Sequence, residues 1–244
     1  MQQFMLPKAD AILWKDDRSD AYGIRPLLPA TVEPPKKVIW LPPTRTSLPL
    51  NQGQEGECVG FGWSAELQVP PVEIPVHNQF ARNFFLGARD VDRRDGRFFP
   101  EGATVLAGAK HARRMNWISE FRWCRSMLDL QQTVTTRGPV VLGIPWKAGM
   151  FQTDVDGRVW VNGEDVGGHC LLCIGFWPNH PLWGNVYVVL NSYGKGWGIN
   201  GIGYITENDM RRLLIDERGE ACIATDIVPV PKKAPWRKFV DSFK

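Results

Sequence analysis

The spacing of apolar residues changes once along this chain, close to Gly138, and that change restricts the fold more than any other feature. Upstream, apolar residues recur at intervals of three and four. Val76, Phe80, Ala81, Phe84, Phe85 and Ala88 form one such series, and Val105, Leu106, Ala109, Ala112 and Met115 form a second. Each series predicts an amphipathic helix, because those intervals bring side chains onto one helical face. Downstream, short apolar runs parted by turn residues predict strands: PVVLGI, GRVWVNG, GHCLLCIGFW, NVYVVLNSYG, GIGYIT and ACIATDIV. Helices first and strands after predict an α+β fold of two lobes, with a cleft between them as the natural place for an active site.

A chain of 244 residues is long enough to bury the cores of two such lobes. Residues 1–38, rich in proline and mixed charge, are expected to be an arm lying on the surface. Residues 39–138 form the helical lobe and 139–228 the β lobe, and residues 229–244 are a basic, proline-containing tail. A net charge of +3 gives no reason to expect a nucleic-acid partner. No stretch has the length of a membrane span and no leader-like segment opens the chain, so a soluble, cytoplasmic protein is expected. Five cysteines are too few and odd in number for a disulfide framework. Cys170 and Cys173 lie three apart on an apparent strand and so face opposite ways, which argues against a shared metal. With Cys124 and Cys222 they are expected to be core residues.

Cys58 is different. It stands in NQGQEGECVGFGWS, among glycines and just ahead of an apolar run. A thiol with a pKa of about 8.5 is mostly protonated at neutral pH, and nucleophilic work requires a nearby imidazole or a helix N-terminus. A helix beginning at Cys58 supplies the second, and His169 in GGHCLLCIGF is a candidate for the first. A histidine base needs its other nitrogen held, and Asn191, where the apolar run of VVLNSYG ends, can accept that N–H.

With those residues in order, the chain resembles the papain-like cysteine proteases. NQGQEGECVGFGWS is similar to the family's nucleophile segment, with Gln52 six residues before Cys58. GGHCLLCIGF is similar to the strand bearing the catalytic histidine, and NSYGKGWGINGIGYI to the N-S-W-G-x-G-W-G-x-N-G-Y block bearing the asparagine. The resemblance spans roughly residues 39–227. It implies a papain-like two-lobe fold with an N-terminal helical lobe, a C-terminal antiparallel β lobe and the active-site cleft between them. It implies Cys58 as nucleophile, His169 as base and Asn191 as its orienting partner. Gln52 and the Cys58 N–H would form the oxyanion hole, each donor worth on the order of 3 kcal/mol. Trp197 would shield the His–Asn hydrogen bond, and Glu101, Gly102 and Gly168 would line the substrate groove. The implied chemistry is peptide hydrolysis through a thioester, with no metal or cofactor and a protein or peptide as substrate.

The chain departs from the pattern at several points. Glu55 stands where a half-cystine is usual, Val59 where a tryptophan follows the nucleophile, and Tyr193 where a tryptophan follows Asn-Ser. Cys58 and His169 are 111 residues apart, fewer than the roughly 130–150 of the pattern. Glu55 and Glu57 would oppose a thiolate if they pointed inward. The absence of an inhibitory-propeptide pattern suggests a compact bacterial or phage form, virion-associated if phage-encoded, controlled by substrate supply or by the arm covering the cleft. The arm and the tail are candidate contacts for a protein partner. DVDRRDGRFFPE (90–101) has acids at calcium-loop positions, yet Arg94 and Asp95 break the pattern and a charged loop is the expectation. His77, His111 and His180 are expected to be surface or satisfied groups. Two other functions compete with a peptidase: a catalytically weak structural or assembly protein, and another Cys–His acyl-transfer enzyme such as a cell-wall peptidase.

Overall fold

The computed structural model describes residues 7–14, 21–31, 34–41 and 48–226. Residues 229–244, read as a basic tail, lie outside them. The two expected helices form as α2 (Asn78–Arg94) and α3 (Val105–Arg114), each with a side-chain cap: His77 accepts from the Phe80 N–H and Thr104 from the Ala107 N–H. Ahead of them, α1 runs Cys58–Gln68 and is buried along its whole length. It packs against both α2 and the sheet, so it has no solvent face and no amphipathic stripe.

Among the described residues, nine strands form one curled sheet. The short β1 (Ala11–Ile12) and β2 (Val38–Ile39) come from the N-terminal arm, and β3 (Ala103–Thr104) and β4 (Glu120–Trp123) from the helical half. The remaining strands are β5 (Val140–Lys147), β6 (Asp165–His180), β7 (Gly184–Leu190), β8 (Ile202–Thr206) and β9 (Glu220–Asp226). Antiparallel pairing runs from β8 through β7, β6 and β5 to β9 and β4. Two cores lie on the two faces of this sheet. One holds α1, α2 and α3 against Val141, Cys170, Leu172 and Cys222. The other holds α4 (Met127–Thr136) and Met210 of α5 (Glu207–Arg211) against Leu142, Ile144, Leu171 and Cys173. Cys170 and Cys173 therefore face opposite cores, as their spacing requires, and all five cysteines are free thiols.

Three expectations need revision. GRVWVNG is not a ladder strand: it makes only single bridges, Thr153 to Val159 and Arg158 to Tyr204, because Gly157 and Gly163 turn the chain at positive φ on either side. The helical half also contributes β4 to the sheet and α4 to its far face, so the lobes interlock across the sequence boundary. The stretch 90–101 is half helix: Asp90 pairs with Arg94 and Arg114, while Asp92 is buried and holds Arg97 and the Thr104 backbone and hydroxyl. His77 and His180 are a cap and an exposed-hairpin group, but His111 is buried in an aromatic box with Phe84 and Trp117. Its Nε2 has no hydrogen-bond partner among the described residues, and burial lowers its pKa to about 4.

Candidate active site

The fold brings four predicted residues to one place. Cys58 opens α1, where the first N–H groups of a helix lack intrahelical partners and the macrodipole is positive. His169 lies on β6 and Asn191 follows the end of β7, two strands paired in register. His169 Nε2 donates to Asn191 Oδ1 at 2.8 Å, an orientation that leaves Nδ1 unprotonated and able to accept. Asn191 is fixed in turn by the Ser192 N–H, which donates to the same oxygen at 2.8 Å. Gln52 is fully buried, its Oε1 accepting from the Ser192 hydroxyl at 2.6 Å and its Nε2 donating to Glu55 O at 2.8 Å. Ser192 thus holds both Gln52 and Asn191, a part played by the residue between Asn191 and Tyr193 that motif reading passed over.

The aromatic cover over the imidazole differs from expectation. Trp146 and Tyr193 lie against His169, with ring centroids 4.5 and 4.9 Å away, and the Tyr193 hydroxyl is 3.5 Å from Nδ1. Trp197 stands one layer back, 6.5 Å from Trp146 and 6.4 Å from Tyr193, with its indole N–H donating to Met150 O at 3.1 Å. The indole packed on the imidazole is Trp146 and not Trp197, because β5 brings Trp146 alongside β6. No motif carried Trp146; only the pairing of PVVLGI with the His-bearing strand could have found it.

The cleft itself is filled by residues 8–11 of the N-terminal arm. Ala11 of β1 bridges two edges, parallel to β3 at Ala103 and antiparallel to β6 at Gly168. The expected groove residues are the cradle of this strand. A Cβ at Gly102 would sit 1.8 Å from the Asp10 carbonyl oxygen, and one at Gly168 2.1 Å from that of Ala11. Glu101 pairs with Lys8 at 3.0 Å. The Lys8 carbonyl accepts from Gln52 Nε2 at 3.2 Å, and the Asp10 backbone lies against the Cys58 sulfur. A backbone carbonyl and a backbone N–H of the arm therefore hold the two positions that a reacting peptide would need.

The electrostatics follow from that cover. Cys58 and His169 are both 0% exposed. Burial pushes the thiol up to about 11, against backbone hydrogen bonds from Cys170, Asp10 and Val59 that favour the thiolate. Burial likewise lowers His169 to about 4, opposed by Asn191. The covered pair is a neutral thiol and a neutral imidazole. Glu57 turns away toward Arg82, 3.4 Å distant, and Glu55 is exposed. The carboxylate that opposes the thiolate belongs to the arm: Asp10, whose Oδ2 is buried without a hydrogen-bond partner among the described residues.

Neither a protein-family model nor a curated protein matches the sequence. Solved structures do. Xylellain, a cysteine protease from Xylella fastidiosa, superposes with a TM-score of 0.61 at 16% identity, covering 95% of this chain and 100% of that one. ProCathepsin B S9 from Trypanosoma congolense gives 0.61 at 13% identity, over 91% and 87% of the two chains. Digestive procathepsin L 3 from Tenebrio molitor larval midgut gives 0.51 at 15%, over 80% and 71%. The chain has the papain-like fold. Identity at this level speaks for the scaffold alone, and the papain-like cleft of this chain stands on its own geometry. None of the helices among the described residues is long and apolar enough to cross a membrane.

Proposed function

We propose that this chain is a cysteine peptidase that cleaves peptide bonds through a thioester, and that its N-terminal arm blocks its own cleft. The observation that carries the reading is the His169–Asn191 hydrogen bond of 2.8 Å on strands that face the N-terminus of the Cys58 helix. In this mechanism His169 Nδ1 takes the Cys58 proton and the sulfur attacks the carbonyl carbon. The Gln52 amide and the Cys58 N–H stabilise the oxyanion, and the imidazolium then protonates the leaving amine. Water hydrolyses the thioester by the same base in reverse.

The arm must leave first. Release rehydrates the thiol and the imidazole and removes Asp10, and each change lowers the cost of a thiolate–imidazolium pair. The raised thiol in the covered state favours a second reading, a scaffold with a silent site.

Alkylation separates the two. In the full chain, Ala11→Pro removes the backbone donor of the one residue through which β1 pairs with both neighbours. A peptidase predicts that this variant labels at Cys58 with iodoacetamide well below pH 8 and hydrolyses a peptide mixture. Both activities should be lost with His169→Ala or Cys58→Ala. Labelling no faster than a model thiol would leave the scaffold reading standing.

A further inference from the structure

One sequence pattern has no part in the catalytic site. The order Pro-Lys-Lys-x-x-Trp stands twice, as Pro35-Lys36-Lys37-Val38-Ile39-Trp40 in the arm and as Pro231-Lys232-Lys233-Ala234-Pro235-Trp236 in the basic tail. The first copy is seated on β6. Val38 and Ile39 pair antiparallel with Phe176 and Gly175, and the Trp40 N–H donates to Ile174 O at 2.7 Å. The Lys37 ammonium stands 3.0 Å from the centre of the Trp177 ring. The Trp40 indole N–H donates at 2.8 Å to Val134 O, in the last turn of α4, where carbonyls have no partner within the helix.

This seat recognises a backbone, one cation and one indole, and the second copy offers all three. A Cβ at Gly175 would come 2.3 Å from the Val38 carbonyl oxygen, so glycine lets a strand lie this close whatever its side chains. Alternation along the antiparallel pair points the Ile39 N–H away from β6, between the bonded positions of Val38 and Trp40. A proline there, as Pro235 would be, forfeits no ladder bond. Lys233 and Trp236 repeat the cation and the indole. Ala234 and Pro235 offer less apolar surface than the half-buried Val38 and Ile39, so the arm holds the seat more tightly. The seat is also within reach of the tail. β7 takes one edge of β6, and β5 begins on the other at Val140, opposite Cys173, so β2 prolongs the line of β5. β9 lies on the far side of β5, with Cys222 opposite Val141. β9 therefore ends about two strand spacings, roughly 10 Å, from the line of β6. The five residues from Asp226 to Pro231 span up to roughly 17 Å.

We infer that the edge of β6 from Ile174 to Trp177 is a peptide-binding site with two ligands in one chain. Residues 35–40 occupy it, and residues 231–236 of the same molecule's tail take their place when they let go. Such an exchange makes the seating of the arm depend on the opposite end of the chain. It calls on no catalytic residue and stands apart from the peptidase reading.

Photo-crosslinking in the full-length chain tests this. The photoreactive residue p-benzoylphenylalanine replaces Arg237, which leaves Trp236 intact, and the crosslinked peptides are mapped by mass spectrometry. An equal mixture of isotopically light and heavy protein shows whether a crosslink joins one chain or two. The expected result is a crosslink within one chain to residues 133–136 or 172–177. Trp40→Ala, which takes the arm's indole off Val134 O, should raise its yield severalfold. Trp236→Ala should abolish it, and an excess of free peptide spanning residues 34–41 should suppress it. The Trp236→Ala and peptide measurements leave the arm unaltered, so they decide the matter even where Trp40→Ala fails to fold. No crosslink to those residues in either background, or one that Trp236→Ala and the peptide leave unchanged, overturns the assignment. Crosslinks that join only separate chains overturn its intramolecular form.

Discussion

Two stretches of the same N-terminal arm are held in different ways. Residues 7–14 lie in the cleft through backbone pairing at Ala11 and an ion pair, Lys8–Glu101, whose side chains are 50% and 60% exposed. An exposed pair of that kind contributes little, because solvent screens it. The same stretch buries near the thiol an Asp10 oxygen that has no hydrogen-bond partner among the described residues. Residues 21–31 are fastened more firmly. Ile24 is fully buried and its N–H donates to Trp123 O at 2.9 Å. Arg25 forks onto the buried Asp129 and donates to Gln132 at 2.6 Å, and Arg137 donates to the Leu27 carbonyl. One stretch is built to leave and the other to stay, so opening the cleft is separable from unfolding the protein.

That separation can be broken by experiment. The largest effect is expected from Ala11→Pro: a return of the thiol from about 11 to an ordinary value alone raises its thiolate fraction at neutral pH on the order of a hundredfold, and pairing with His169 raises it further. The iodoacetamide rate should follow, while the urea midpoint moves little. Asp129→Ala should do the opposite. Loss of the Arg25 fork and of the bond from the Arg125 N–H should lower unfolding stability by about 1–3 kcal/mol in urea titrations and leave Cys58 labelling unchanged. A variant that shifted both readouts together would show that the two stretches are one cooperative unit.

Smaller effects sharpen the comparison. Glu66 lies on α1 away from both stretches, fully buried, with its pKa raised to about 8 by desolvation. The folded chain keeps a proton there that the unfolded chain releases above about pH 4.5, so this group's stabilisation falls as pH rises toward 8. Glu66→Gln should flatten the decline measured by thermal melts between pH 6.5 and 8, with Glu220 contributing what remains. The effect should be the same in the Ala11→Pro background. Asp10→Asn is expected to change least. It removes the carboxylate beside the sulfur while keeping the arm's shape, and should slow labelling severalfold by seating the arm more firmly.

The sequence made the placement of the candidate site residues more legible than the architecture around them. Cys58, His169, Asn191 and Gln52 stand in short motifs because local turn and strand geometry fixes each of them. The amphipathic α2 and α3 were legible for a similar reason, since each has a solvent face that sets a period. α1 was legible only from its first residue, because a helix buried all round carries no period. Trp146 reaches His169 through strand register across distant segments, which no local pattern encodes. GRVWVNG misled because Val159 and Val161 are buried while glycines turn the chain at both ends.

The anchoring of residues 21–31 has a kinetic meaning. Strand β1 is tethered to its own groove by a short stretch of chain, so closing the cleft is an intramolecular event. A tether of that length sets a local concentration in the millimolar range. Dilution cannot relieve the block, and a free peptide must either approach that concentration or bind far more tightly than the arm to displace it. The site of such a molecule answers to what competes for the groove, and hardly at all to how much of the protein is present.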